Sequence, residues 1–176
     1  STANAIGQGV IEITKIIEKL KPDIFLVYAD RYETFAAAIA SSQTNTVTAH
    51  VEGGDITQGG ALDDNVRHAI TKLSHIHFTT NAQATRIILA MGEEEWRVHT
   101  VGYPGIDLVN SKDFIKEENI KKEIDINIMQ PIIIYTQHSV SNKYELAKNQ
   151  LEPSLKAMER LVVNKNVQCI LTYPNN

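Results

Sequence analysis

Cysteine is nearly absent from this sequence, since its 176 residues contain a single one, Cys169. One cysteine excludes an internal disulfide framework and, with it, the small secreted domains that depend on such a framework. The sequence also lacks a run of roughly 18 apolar residues, so it predicts no membrane-spanning helix. The sequence lacks the positively charged start and following apolar core of a secretory signal, and we expect a cytoplasmic protein.

Clustered positive charge is also missing. The formal net charge is −4, and the lysines between positions 112 and 122 alternate with acidic residues. This pattern is typical of a solvated helix face and not of a basic patch. We therefore expect neither a nucleic acid nor a membrane surface among the partners of this protein.

Several motifs that carry chemistry are absent. There is no His-Glu-x-x-His sequence, no cysteine pair, no Walker loop and no Gly-x-Ser-x-Gly elbow. Gly53-Gly54 and Gly59-Gly60 are too far apart for a dinucleotide fingerprint. His75 and His77 have the spacing of metal ligands on a strand, but no third ligand lies nearby in the sequence. We predict no metal site.

What the chain does contain is a regular alternation of two apolar patterns. Helices are predicted over 3–20, 32–42, 63–73 and 144–163, together with one that is capped by Asn81 and ends near Met91. Strands are predicted over 24–28, 46–51, 76–79, 97–101, 131–135 and 167–173. Strand–helix alternation with short connections predicts an α/β fold with open, parallel, doubly wound sheets. The polar segment 103–128 is expected to be a loosely helical bridge between two such sheets.

Polar side chains follow several of the predicted strands. In open parallel sheets ligands bind at the carboxyl ends of the strands, which selects Asp30, Glu52, His138 and Asn175 as candidate site residues. A cap on the following helix is an alternative role for Asp30. Glu52 ends an apolar strand and enters a glycine-rich loop, where a purely structural carboxylate is less expected.

A second group of polar residues opens the helix predicted over 63–73. Asp63 and Arg67 are four residues apart and share a face with each other, while Asp64 and His68 occupy the positions that follow them. An acid beside a phosphate-binding arginine at a helix N-terminus is one interpretation, and a surface ion pair is the other. His50 precedes Glu52 by two positions and faces the same side of its strand.

Six short segments recur in the order known from one enzyme family. They are Tyr28-Ala29-Asp30-Arg31-Tyr32-Glu33, His50-Val51-Glu52-Gly53-Gly54-Asp55, the block from Leu62 to Leu73, Gly102-Tyr103-Pro104, Thr136-Gln137-His138-Ser139 and Thr172-Tyr173-Pro174-Asn175. Together they resemble the UDP-N-acetylglucosamine 2-epimerase family. The third block contains Asp-Asp-Asn-Val-Arg-His-Ala-Ile-Thr-Lys, which is similar to the hydrolysing branch. The non-hydrolysing branch has a Pro-Glu-Glu type of block there.

The resemblance implies a GT-B-type architecture, in which two Rossmann-like domains bind a nucleotide-sugar in the cleft between them. Residues 1–103 are then the C-terminal part of the N-terminal domain, 104–128 a linker helix region and 129–176 the start of the C-terminal domain. The chain begins without Met and ends shortly after a strand, so we expect it to be an internal part of a longer enzyme with little turnover alone. The full-length enzyme is expected to be a homo-oligomer that needs no cofactor.

The implied activity is hydrolysis and inversion of UDP-N-acetylglucosamine to N-acetylmannosamine and UDP, which feeds sialic-acid-type synthesis. The family reaction is an anti elimination of UDP followed by hydration of a glucal-like intermediate. The resemblance makes Asp30, Glu52, Asp63, Asp64 and His138 the catalytic candidates, of which the carboxylates would transfer protons and stabilise ring charge and His138 would contact the phosphates. It makes five further residues substrate-binding candidates, namely Arg31, His50, Arg67, His68 and Asn175.

Four alternatives remain open at this point. They are a hydrolysing epimerase for UDP-N,N'-diacetylbacillosamine, a non-hydrolysing epimerase, a GT-B glycosyltransferase and an inactive nucleotide-sugar-binding fragment.

Overall fold

The computed structural model describes residues 1–57, 62–138 and 145–173 of the chain. It divides into two compact units, Ser1–Ser111 and Lys112–Asn176. The division between the units lies within the segment 104–128 that was predicted to be a linker.

The first unit alternates helices and strands as predicted. Its elements are α1 (Thr2–Leu20), β1 (Ile24–Tyr28), α2 (Tyr32–Gln43), β2 (Val47–Val51), α3 (Leu62–Leu73), β3 (Ile76–Thr79), α4 (Ala82–Ala90), β4 (Val98–Thr100) and α5 (Gly105–Ser111). A single 3₁₀ turn, Glu95–Arg97, replaces the first residue of the strand predicted over 97–101. Asn81 caps α4 as expected, because its side chain accepts hydrogen bonds from the backbone N–H groups of Gln83 and Ala84, each at 2.9 Å.

The second unit is smaller. Its elements are α6 (Glu117–Glu123), β5 (Ile132–Tyr135), α7 (Ala147–Lys165) and β6 (Gln168–Leu171). The segment 103–128, predicted to be loosely helical, contains two separate short helices, α5 and α6, rather than one continuous helix. Lys112 adopts a left-handed φ of 56° directly after α5, a conformation that interrupts a helix. Tyr144, predicted to begin the long helix, lies outside the described residues.

Both sheets are parallel. In the first unit the strands lie in the order β1-β2-β3-β4, and in the second β5 pairs with β6. Helix α2 packs against β1 and β2, and α1 and α3 pack on either side of α2. The α/β class with parallel sheets is therefore confirmed.

The exposure of β1 differs from the prediction. A continuous apolar run favoured a strand covered on both faces. In the structure Val27 is buried against Ala38 and Ile70, but Ile24 and Leu26 on the opposite face are 55% and 60% exposed. Since the described strands follow one another in chain order, successive helices cover the same face of the sheet.

No helix among the described residues has the length and apolar character needed to cross a membrane.

Candidate active site

The carboxyl ends of the four parallel strands bring the candidate residues of the first unit to one edge of the sheet. Asp30 lies just after β1, Glu52 directly follows β2 and Asn81 follows β3. Helix α3 begins beside the same edge and carries Arg67, which is 8% exposed. Carboxylates from two chain segments, Asp30 after β1 and Asp64 in α3, contact this buried guanidinium.

Arg67 joins these segments. One of its terminal nitrogens donates to the Asp30 carboxylate, and the other donates to Asp64 at 2.7 Å and to the backbone carbonyl of Asp55 at 2.6 Å. Burial alone disfavours a charged guanidinium, but Asp30 and Asp64 outweigh burial and raise the pKa of Arg67 above its ordinary value. Arg67 is therefore a link between two carboxylates.

Asp64 is fixed by the loop as well as by Arg67. The backbone N–H of Thr57 donates to both of its carboxylate oxygens, at 2.9 and 3.2 Å. These hydrogen bonds, followed by the ion pair with Arg67, hold the pKa of Asp64 below its usual value. Asp63, one position earlier in α3, is exposed, and no described residue hydrogen-bonds its carboxylate. The two neighbouring carboxylates thus differ, since one is occupied and the other is accessible.

Glu52 occupies a strained backbone position at the end of β2. Its φ is 68°, in the left-handed region that residues other than glycine rarely adopt. Its backbone N–H donates to the carbonyl of Phe78 at 3.0 Å, and its side chain accepts a hydrogen bond from the hydroxyl of Tyr28. This bond to the carboxylate raises the pKa of Tyr28 to about 12. Strain of this kind concentrates at functional sites.

His50 lies beneath the edge and is fully buried. Its Nε2 is 3.0 Å from the backbone carbonyl of Ala29, and its Nδ1 is 3.4 Å from the hydroxyl of Thr71. Burial lowers the pKa of His50 to about 4, so at neutral pH the ring is uncharged and Nε2–H donates to Ala29. A ring in this position supports the residue before Asp30 and is shielded from solvent.

Two other predicted binding residues lie closer to the surface. The Arg31 guanidinium is exposed and pairs with Glu33, with a shortest separation of 3.0 Å. His68 is half-buried in α3, and its Nδ1 is a buried nitrogen that no described residue hydrogen-bonds.

The remaining candidates belong to the second unit or lie beyond the described residues. His138 is exposed and follows β5, in the unit Lys112–Asn176. Asn175 lies outside the described residues. The structure therefore brings together Asp30, Asp64 and Arg67 by direct contact.

The two histidines that have metal-ligand spacing, His75 and His77, make other contacts. Within 1–57, 62–138 and 145–173, no group of three or more His, Cys, Asp or Glu side chains is arranged to hold a metal ion. The His75 ring nitrogen Nδ1 instead accepts the backbone N–H of Thr48 at 3.1 Å, and His77 Nε2 lies 3.3 Å from Glu93.

The family model described as UDP-N-acetylglucosamine 2-epimerase matches residues 1–176, the whole chain. This chain belongs to the UDP-N-acetylglucosamine 2-epimerase family. The resemblance seen in the six sequence segments is thereby confirmed.

Relatives in this family include a protein described as a UDP-N-acetylglucosamine 2-epimerase and one described as a hydrolysing UDP-N,N'-diacetylbacillosamine 2-epimerase. The chain is 30% identical over 97% of its length to a UDP-N-acetylglucosamine 2-epimerase of Neisseria meningitidis serogroup B. It is 31% identical over 100% of its length to a hydrolysing UDP-N,N'-diacetylbacillosamine 2-epimerase of Legionella pneumophila. It covers 44% and 45% of these two proteins, so it spans slightly less than half the length of these curated relatives.

Solved structures of the family share the fold. A Neisseria meningitidis UDP-GlcNAc 2-epimerase bound to UDP-GlcNAc superposes with a TM-score of 0.83 at 24% identity, covering 99% of this chain and 48% of that one. A Methanocaldococcus jannaschii UDP-GlcNAc 2-epimerase in complex with UDP-GlcNAc and UDP gives a TM-score of 0.80 at 22% identity, covering 99% of this chain and 48% of that one. The GT-B-type class of the fold is confirmed by these likenesses.

Two residues of this chain contact the candidate residues although the sequence did not single them out. Asp55 binds Arg67 through its carbonyl, and its carboxylate accepts weak hydrogen bonds from Thr80 and Asn81, each at 3.4 Å. Asp55 could have been selected from the sequence by its position in the loop after β2. Tyr28, the partner of Glu52, was hidden because a strand residue in an apolar run suggests packing only.

Proposed function

We propose that this chain carries the proton-transfer residues of a hydrolysing UDP-N-acetylglucosamine 2-epimerase. The observation that supports this most directly is the set of carboxylates at the carboxyl edge of the first sheet, where Asp30, Glu52 and Asp63 are presented by three different segments. A reaction that removes a proton from one face of a sugar ring and returns one to the other needs two such groups.

The proposed reaction balances as follows. A carboxylate takes the C2 proton while the C1–O bond breaks, and UDP leaves with the bonding electron pair, so that a C1–C2 double bond forms. Water then adds its hydroxyl to C1 and gives its proton to a carboxylate, while a carboxylic acid delivers a proton to the opposite face of C2, and the proton first taken from C2 passes to solvent. The products are N-acetylmannosamine and UDP. Carboxylates near the ring also stabilise the positive charge that develops as the C1–O bond breaks.

The contacts at the site favour particular roles. Asp64 is engaged by Arg67 and by Thr57, whereas Asp63 is accessible, so we assign proton transfer to Asp63 rather than to Asp64. Arg67 also engages Asp30, so the same argument leaves Glu52 and Asp63 as the proton-transfer groups. Asp30 and Asp64, which Arg67 holds, are assigned to stabilising the ring charge. Arg31 is then the candidate of the first unit for the leaving diphosphate, because its guanidinium is exposed. The role of His138, in the second unit, stays a prediction.

The test uses the product of the complete gene, incubated with UDP-N-acetylglucosamine in heavy water and followed by NMR. We expect free N-acetylmannosamine with one deuterium at C2, together with an equal amount of UDP. Formation of UDP-N-acetylmannosamine would contradict the hydrolysing assignment, and transfer of the sugar to an acceptor would contradict the epimerase mechanism. A parallel incubation with UDP-N,N'-diacetylbacillosamine decides the amino sugar, and residues 1–176 alone are assayed to measure what this segment contributes.

Variants separate chemistry from structure in the same assay. Asp63→Asn is expected to lower kcat by about 100-fold, as loss of one proton-transfer group does, with an unchanged unfolding temperature. Asp64→Asn is expected to lower the unfolding temperature, because it breaks the contacts with Arg67 and Thr57. Asp23→Asn is the matched control, since Asp23 is exposed at the amino end of β1, at the opposite edge of the sheet. Equal activity of Asp63→Asn and Asp23→Asn would remove Asp63 from the mechanism.

A further inference from the structure

We propose that Tyr28 is a positioning residue that orients the Glu52 carboxylate for proton transfer. This inference rests on the proposed function, in which Glu52 is one of the carboxylates that act on the sugar ring. It goes beyond that proposal by assigning a role to a tyrosine in the strand that precedes Asp30.

Hydrogen bonds within the sheet fix the backbone at Glu52, so that only its side chain remains to be oriented. Glu52 is tied to β3 through its N–H bond to Phe78, at 3.0 Å, and its neighbour Val51 accepts the N–H of Ala29 at 3.0 Å. Tyr28 and Val51 are register partners in adjacent strands, so the tyrosine lies beside the residue that precedes Glu52. The backbone around Glu52 is therefore fixed by the sheet.

The turn of the chain places the two side chains within reach. Ala29 and Glu52 both adopt left-handed conformations, with φ values of 61° and 68°. Each strand is thus followed by a backbone conformation that residues other than glycine rarely adopt. The Glu52 carboxylate accepts a hydrogen bond from the Tyr28 hydroxyl. A flexible glutamate at a strand end has several rotamers, and this hydrogen bond selects one of them.

The chemistry of the contact suits an orienting role. The Tyr28 hydroxyl donates to Glu52 Oε1, and no described residue hydrogen-bonds Oε2, which remains available to accept a proton. Because the contact raises the pKa of Tyr28 to about 12, the hydroxyl stays protonated at neutral pH and remains a donor. Tyr28 is 48% exposed, so the pair lies at the surface of the sheet edge.

A double-mutant cycle tests the proposal in the product of the complete gene. The variants are Tyr28→Phe, which removes only the hydroxyl, Glu52→Gln and the combination of both. Exchange of the substrate C2 proton with heavy water is measured because it precedes both the hydrolysing and the non-hydrolysing outcomes. We expect Tyr28→Phe to lower kcat for exchange about 10-fold or more with KM within about twofold, as misplacement of a catalytic group does. Addition of Tyr28→Phe to Glu52→Gln should then have no further effect.

Three results would overturn the proposal. They are exchange by Tyr28→Phe within about twofold of the unaltered enzyme, a fall in kcat that adds fully to that of Glu52→Gln, or a change confined to KM. A merely structural role would lower the unfolding temperature in both backgrounds and would give additive effects.

A measurement without turnover distinguishes failure of this inference from failure of the proposed function. The ¹³Cζ resonance of Tyr28, assigned by its loss in Tyr28→Phe, is expected to shift in Glu52→Gln and to stay in place in Asp23→Asn. If the resonance shifts but the enzyme exchanges no C2 proton, the proposed function fails and the positioning role falls with it. If exchange occurs but the resonance does not shift, the contact is absent and only the inference on Tyr28 fails.

Discussion

Replacement of Arg67 by methionine tests whether the arginine holds the site together. The Arg67 side chain is 10% exposed, and its partners Asp64 and Asp30 are 14% and 23% exposed. Removal of one partner from a buried ion pair costs about 3–5 kcal/mol because the other charge is left unpaired. Asp30 keeps some contact with water and Asp64 keeps the Thr57 N–H, so we expect the lower end, about 3 kcal/mol. This corresponds to about a 100-fold change in the unfolding equilibrium.

The measurement is urea unfolding at neutral pH, followed by far-UV circular dichroism and by the fluorescence of Trp96. Trp96 is the only tryptophan of the sequence and lies in the first unit, so its signal reports on the unit that contains Arg67. Arg31→Met is the matched control, because the Arg31–Glu33 pair has side chains that are 60% and 50% exposed. Exposed pairs contribute about 0–1 kcal/mol. A loss for Arg67→Met no larger than that for Arg31→Met would refute the reasoning.

Two further predictions concern stability. The pKa of His50 is about 4 in the folded chain against an ordinary value of 6.5, so the unfolded chain binds the extra proton between these values. The contribution of the neutral buried ring to the free energy of unfolding is fully present above about pH 6.5 and falls by about 3 kcal/mol as the pH drops to 4. When the free energy of unfolding, measured in urea, is plotted against pH over this range, its slope should be shallower for His50→Gln than for the unaltered protein. An unchanged slope against pH would contradict the prediction. Gly54→Ala should destabilise far more than Gly92→Ala, because an added Cβ at Gly54 would lie 2.3 Å from the carbonyl oxygen of Ala84 while Gly92 has open space. Both glycines have positive φ values, 87° and 91°, so Gly92→Ala isolates the conformational cost of about 1–3 kcal/mol, and equal losses in thermal unfolding would contradict the clash.

Local patterns in the sequence were sufficient to place most elements of the fold. The apolar run 24–28 coincides with β1, and the strand predicted over 76–79 coincides with β3. Asn81 predicted the start of α4 because an N-cap acts on backbone groups two and three residues away. The exposure of β1 could not be predicted, since it depends on which elements pack on each face of the sheet and not on the strand itself.

The site was predictable in composition but not in its contacts. Because parallel strands end at a common edge, the rule that selects the carboxyl ends identified Asp30 and Glu52. The ion pair between Asp30 and Arg67 spans 37 positions, and it depends on how α3 packs beside β1. The bond between Tyr28 and Glu52 depends on a left-handed residue that is not glycine, which propensity argues against.

The pairing of Arg67 also changes which group in the first unit is suited to bind a departing diphosphate. The charged guanidinium of Arg67 and its two ionised carboxylates together carry a net negative charge, and a diphosphate placed beside them would lie against Asp30 and Asp64. Arg31 is different, because its partner Glu33 is an exposed carboxylate that a phosphate can replace at little cost. We therefore expect a phosphate contact at Arg31 rather than at Arg67 in this unit. We propose that Arg67 instead holds two carboxylates at the sheet edge, where positive charge develops on the sugar ring in the proposed reaction.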